Sequence, residues 1–97
     1  MERGSPIGGA ETPFEVLFER RAEREYGRLS GDILRRVNEA IERLTVAPRH
    51  QGATKLAGRD DYRVRVGDWR IVYEVDDKKR RVVVIRIAHR SDVYRRL

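Results

Sequence analysis

Three arginines, Arg63, Arg65 and Arg70, flank a Gly67-Asp68 dipeptide in a stretch where apolar and polar residues alternate, Tyr62-Arg-Val-Arg-Val-Gly-Asp-Trp-Arg-Ile-Val-Tyr73. A period of two marks β-strands, and Gly-Asp between two such runs marks a two-residue hairpin loop. That loop length sets the register: Val66 opposes Trp69, Arg65 opposes Arg70, Val64 opposes Ile71 and Arg63 opposes Val72. Tyr62, Val64, Val66, Trp69, Ile71 and Tyr73 then share one face, and Arg63, Arg65 and Arg70 share the other. Like charges directly across a ladder are unfavourable, by about 0.2–1 kcal/mol for a pair. Either solvent screens three long side chains that point apart, or an anion sits among them. A phosphate suits the second case, because each guanidinium can donate two charge-assisted hydrogen bonds to it.

The rest of the composition narrows the chemistry. The chain has 97 residues, enough for one small core and too few for two. Hydrophobic and charged residues each make up 39%, too apolar for a disordered chain and too polar for a membrane protein. The longest aliphatic run, Val82 to Ile85, is far short of the roughly 20 residues of a spanning helix. No membrane segment is expected. Cysteine is absent and His50 and His89 are the only histidines, so neither a disulfide framework nor a metal centre is expected, and a cytoplasmic location is permitted. The formal charge is +6, from 22 basic and 16 acidic residues, and residues 55 to 97 carry thirteen of the former against seven of the latter. Arginine accounts for 19 of the 22 cations, which a GC-rich genome would explain for the first half and a phosphate-binding role for the second.

The elements that must position the arginines can be read along the chain. Residues 1–12, Gly/Pro-rich and aperiodic, are expected to be a flexible arm or an expression remnant, leaving residues 13–97 as a single domain. Phe14, Val16 and Phe18 alternate as one face of a short strand. Ala22, Tyr26 and Leu29 form the apolar stripe of a helix over 20–29. Ser30-Gly31 breaks it, with Ser30 placed to cap a second helix whose stripe is Ile33, Leu34, Val37, Ile41 and Leu44 and which ends before Pro48. Residues 49–61 read as loop, with Leu56 as an anchor and Asp60, Asp61 and Asp68 as turn formers. The hairpin follows, then a turn at 76–79 and an apolar β-branched strand over 81–87 in which the face taken by Arg86 stays open. The order β-α-α-β-β-β implies an α+β fold, a small antiparallel sheet with a helical hairpin packed on one face.

Taken together, Pro48, Lys55-Leu56-Ala-Gly58, the Tyr62 to Val75 hairpin and His89-Arg-Ser-Asp-Val-Tyr94 resemble the RelE/ParE superfamily of type II toxin–antitoxin toxins, most closely its RelE branch. The resemblance runs over about residues 14–97, and its element order is the RelE-like one. It implies an mRNA interferase, a metal-independent endoribonuclease that cuts messenger RNA in the ribosomal A site and is neutralised by a cognate antitoxin in a hetero-oligomer. The implied reaction is attack of a 2′-OH on the adjacent phosphate, which requires in-line geometry, a base, an acid and cations for the added negative charge. No cofactor is implied. Arg63 and Arg65 match two basic positions of the family's second strand, Arg70 its phosphate-stabilising arginine, Arg90 the arginine after the last strand, and Tyr94 the C-terminal tyrosine.

Two departures redistribute the roles. The best-studied pattern has lysine where Arg63 and Arg65 stand, and arginine is a poor general base; Ala57 stands where some relatives carry another arginine. His89 is a candidate catalytic participant, since imidazole is a common general acid or base, or it is a structural hydrogen-bonder at a strand end. Tyr94 serves as a base if neighbouring cations such as Arg90 lower its pKa, stacks on a nucleobase, or packs against the sheet. Lys55 contacts RNA or is a solvated loop lysine. Trp69 and Tyr73 belong to the core. The ParE branch of the same fold offers a competing function, inhibition of DNA gyrase without nuclease chemistry, and a third is an RNA-binding module without catalysis. The Tyr94 ending favours the ribonuclease; arginines at the lysine positions favour gyrase.

Overall fold

The computed structural model describes residues 13–50, 52–56 and 61–92; the arm expected over 1–12, Ala57 and Tyr94 lie outside these. The elements are β1 (Glu15–Phe18), α1 (Arg20–Gly27), α2 (Gly31–Val46), β2 (Ala53–Lys55), β3 (Asp61–Val66), β4 (Trp69–Asp76) and β5 (Arg81–His89). They build one five-stranded sheet in the order β1-β5-β4-β3-β2. The α+β class and the helical hairpin are as expected from the sequence, with two additions. The segment read as loop holds the edge strand β2, three residues being too few to display a period of two. β1 runs parallel to β5, Glu15 to Phe18 pairing with Arg81 to Val84, while the other pairings are antiparallel. β1 lies beside the last strand of the chain and not the next one, so no hairpin turn dictates its direction.

The apolar stripes meet as their spacing requires. Ala22 of α1 and Val37, Ala40 and Leu44 of α2 are buried against Val64, Val66, Ile71, Tyr73, Val82, Val84 and Ile87 of the sheet. Phe14, Val16 and Phe18 close the side, with the Phe18 ring 5.4 Å from that of Tyr26. α2 stops at Val46 because Pro48 disfavours helical geometry in the residue before it. Ser30 does occupy the cap position of α2, but its side chain makes no capping hydrogen bond. The helix opens on Gly31 at φ +62°, a departure from the geometry a serine cap needs.

The hairpin register is the one the loop length demands, Arg65 opposite Arg70 and Arg63 opposite Val72. Of the two loop residues only Gly67 has positive φ, +61°, the arrangement that calls for glycine at the first loop position. On β5 an irregularity separates two registers: Val72 pairs with Arg86, but Tyr73 pairs with Val84, leaving Ile85 as an extra residue. Strict alternation from Val82 and Val84 would send Arg86 into the core. The bulge turns Ile87 inward instead and places Arg86 in the row of Arg63 and Val72. It also sets Ala88 opposite Arg70 and His89 opposite Trp69, carrying the end of β5 to the hairpin loop.

Beyond Phe18 the outer edge of β5 has lost its strand neighbour, and Glu25 of α1 takes over. One carboxylate oxygen accepts the Ile87 N–H at 2.7 Å, and the other accepts Nε and Nη2 of Arg86, both at 3.0 Å. Arg86 is 5% exposed, so this pair is largely desolvated. Removing one partner of such a pair strands the other charge. Glu25→Ala is therefore expected to lower the unfolding free energy by about 2–4 kcal/mol, whereas breaking the exposed Arg81–Glu15 pair costs about 1 kcal/mol or less. Urea denaturation of the two variants measures the difference, and equal effects would refute a special role for Glu25.

Candidate phosphate-binding site

The hairpin tip gathers the arginines singled out by their spacing. Arg65 Nε donates to the Gly67 carbonyl at 3.2 Å, and Arg70 Nη1 donates to the same oxygen at 3.3 Å and to the Trp69 carbonyl at 3.0 Å. Arg65 is exposed, but Arg70 is only 7% exposed, and among the described residues neither has a carboxylate in ion-pair range. A buried cation whose acceptors are all neutral carbonyls keeps its charge uncompensated, which is costly in a poorly hydrated place. An oxyanion arriving between Arg65 and Arg70 would replace long bonds to a carbonyl with charge-assisted ones.

Arg90 joins this end of the sheet through the backbone. Its N–H donates to the Asp68 carbonyl at 2.8 Å, which fastens the residue after β5 to the hairpin loop and leaves its side chain exposed. His89, half-buried, sits edge-on to Trp69 with ring centroids 5.9 Å apart, and its Nδ1 lies 3.3 Å from Ser91 Oγ. Trp69 packs on the core from the helix side, as expected from its register. Arg63 is half-buried and two residues further from the tip, in the same facial row as Val72 and Arg86. Arg86, whose face the sequence left open, shares that side, but its charge is matched by Glu25.

Lys55 is placed elsewhere. It pairs with Tyr62, whose row is the helix-facing one that continues to Tyr73, so Lys55 leaves the sheet on the side opposite Arg65 and Arg70. Leu56 does anchor its segment, packing with Ile85 against Val72 and Ala88 to give the arginine face an apolar floor. One residue the sequence did not single out also reaches the loop: the Arg36 guanidinium, from α2, lies over Gly67. Nothing in the local pattern marks it, since Arg36 is one of several arginines on the polar side of an amphipathic helix.

The loop between α2 and β2 is held by a second cluster. Arg49 donates from Nε to the Tyr62 hydroxyl at 2.8 Å and from both terminal nitrogens to Asp77, at 3.0 and 2.9 Å. Tyr62 stacks on Tyr73 at 5.8 Å, and the buried Tyr73 hydroxyl donates to the Pro48 carbonyl. Burial pushes the Tyr73 phenol up to about 12, so it stays a donor at any physiological pH. These contacts tie Pro48 and Arg49 to β3, β4 and the β4–β5 turn.

Comparison with known proteins places this arrangement. Toxin RelG of Mycobacterium tuberculosis is 36% identical over 88 residues, covering 87% of this chain and 99% of that one. Residues 16–94 match the family model described as the ParE toxin of the type II toxin–antitoxin system parDE. The chain belongs to the RelE/ParE superfamily of type II toxins. Solved RelE/ParE-type structures share its fold. The RelBE2 toxin–antitoxin complex from M. tuberculosis matches with a TM-score of 0.70 at 31% identity, over 80% of this chain and 99% of that one. The isolated Escherichia coli RelE toxin matches with a TM-score of 0.72 at 28% identity, over 84% and 92%.

Within this RelE/ParE domain the Arg49–Asp77 bridge gives a pH-dependent signature. The hydrogen bonds from Arg49 hold the Asp77 carboxyl below its ordinary range. A depressed carboxyl contributes stability above its unfolded value of about 3.9 and loses it as pH falls through the lower folded value. Wild type is thus expected to be more stable than Asp77→Asn at about pH 7, with the gap closing toward about pH 2. Thermal denaturation across that range checks this; a gap that persists in acid would exclude the bridge as its source.

Proposed function

We propose that this type II toxin is a ribosome-dependent endoribonuclease that cleaves mRNA in the A site, and that Arg65 and Arg70 bind the scissile phosphate. The observation that carries the proposal is the buried Arg70, without a carboxylate partner among the described residues, sharing one carbonyl acceptor with the facing Arg65. In the reaction the 2′-oxygen loses its proton and bonds to phosphorus, and the P–O5′ bond breaks. The products are a 2′,3′-cyclic phosphate and a 5′-OH. Guanidinium groups aimed at the non-bridging oxygens stabilise the charge that grows there. Arg63 extends the cationic row along the sheet, and Arg90 is fastened to the loop through its backbone N–H. Proton transfer falls to Tyr94, because an arginine holds its proton throughout the accessible pH range, and His89, the other residue the sequence offered, pairs with Trp69 in the helix-facing row, on the side of the sheet opposite Arg65 and Arg70. The protein partner is a cognate antitoxin, supported by the RelB-bound state of the RelBE2 relative. An apolar helix and an acidic or extended segment are the chemistry that would cover this surface.

The match to the ParE family model, together with arginines at the positions of lysine, supports gyrase inhibition as the second reading. Primer extension on actively translating ribosomes separates the two. The wild-type chain is expected to produce cuts, and Arg70→Ala or Tyr94→Phe to reduce them by about 100-fold or more. Growth arrest without cuts, accompanied by gyrase-linked DNA breaks, would overturn the ribonuclease reading. Cuts undiminished in Arg70→Ala would remove Arg70 from the site.

A further inference from the structure

The space that a side chain on Gly67 would fill is taken by a guanidinium from a distant part of the chain. A Cβ built on Gly67 would lie 3.2 Å from Arg36 Nη1 and 3.5 Å from Nη2. Arg36 comes from α2, which packs on the sheet face opposite to Arg65 and Arg70. Three guanidinium groups therefore close on a single glycine, two at its carbonyl oxygen and one over its α-carbon. Standard backbone dimensions put them within roughly 10 Å of one another, comparable to the Debye length of about 8 Å at physiological ionic strength. Their repulsion is only partly screened.

The neighbouring arginine on the same helix shows what an ordinary surface guanidinium does here. Arg35 reaches Asp32 and, at 3.0 Å, Glu39, both on its own helix. Arg36, exposed and one position along, has no carboxylate partner among the described residues and lies on the hairpin tip instead. Cations on both sides of a two-residue loop do not suit one small anion, which would engage one side. They suit a polyanion that crosses the tip, with negative charges repeated at short intervals. A nucleic acid strand has that pattern, one phosphate per nucleotide.

We infer that Arg36 binds an RNA phosphodiester next to the one held by Arg65 and Arg70, so that the strand is gripped on both sides of the Gly67-Asp68 loop. The inference rests on the ribonuclease reading and adds to it a contact from the helical layer. Arg36 is in this account a binding residue for a non-reacting phosphate. Its loss should weaken the hold on RNA more than it slows the chemical step.

The full-length toxin is titrated with a fluorescent single-stranded RNA and with mRNA-programmed ribosomes, over a range of salt concentrations. Arg36→Ala is expected to lower the slope of log K against log salt by about 0.7, the value of one single-strand phosphate contact, and to raise KM about 5- to 10-fold with kcat little changed. Arg36→Lys should recover most of the slope, and neither variant should shift the unfolding midpoint. A slope change on both probes assigns the contact to the substrate strand; a change on ribosomes alone assigns it to ribosomal RNA. An unchanged slope in Arg36→Ala, with Arg70→Ala still defective in cleavage, overturns the inference and leaves the ribonuclease reading standing. Failure of the wild-type toxin to bind either RNA overturns both. Weakened neutralisation by an acidic antitoxin peptide, without a change in RNA slope, would make Arg36 a protein contact and refute the assignment.

Discussion

Two arginines held opposite each other by a two-residue turn keep their backbones paired for as long as the hairpin that carries them is formed. Arg65 and Arg70 are in that position, and the turn offers them nothing better than the carbonyls of Gly67 and Trp69. The repulsion of about 0.2–1 kcal/mol expected for such a pair in water is enlarged when one member is buried, as Arg70 is. The strain is tolerable only because the hairpin is embedded in a five-stranded sheet with a packed helical layer beneath it. In the proposed function a bound phosphate would convert this unfavourable juxtaposition into a clamp whose geometry exists before the ligand arrives, which is the condition for electrostatic stabilisation without reorganisation.

Most of the remaining architecture serves to keep that hairpin tip in place. The bulge at Ile85 corrects the register of β5 so that its last residues reach the loop, where the Arg90 N–H binds the Asp68 carbonyl. Glu25 then substitutes for a missing strand along the free edge of β5, and its carboxylate neutralises the cation that the bulge has displaced onto the arginine face. At the other end of the hairpin the Arg49, Tyr62 and Asp77 cluster ties the loop after α2 to the sheet. Three separate devices thus converge on one short hairpin. Arg86 illustrates the discrimination involved: its carboxylate partner is Glu25, whereas among the described residues Arg65 and Arg70 have none.

Arginine at both strand positions constrains the chemistry as well as the binding. A guanidinium is a permanent, planar, multiply donating cation, well suited to holding a phosphate and poorly suited to exchanging a proton. In the proposed reaction the two tasks are consequently divided between residues. The sheet supplies charge stabilisation, and Tyr94, beyond the end of β5, is the residue proposed for proton transfer. In the inferred complex Arg36, lying over Gly67, adds a contact from the helical layer to the holding of the strand and not to the charge stabilisation of the reaction.

The hairpin was fully legible in the sequence because its determinants are local: alternation, a glycine-containing two-residue loop, and a register that follows by counting. The helical stripes and the stop before Pro48 were legible for the same reason. β2 was not, since three residues carry no period, and the parallel direction of β1 was not, since no turn joins it to β5. The face of Arg86 depended on a bulge invisible in an unbroken apolar run. Local alternation thus determined that Arg65 and Arg70 face each other. Only the tertiary structure decided which cations gather at the hairpin tip and which are neutralised elsewhere, because Glu25 reaches Arg86, Lys55 falls on the other side of the sheet, and Arg36 arrives at Gly67 through packing between elements far apart in the chain.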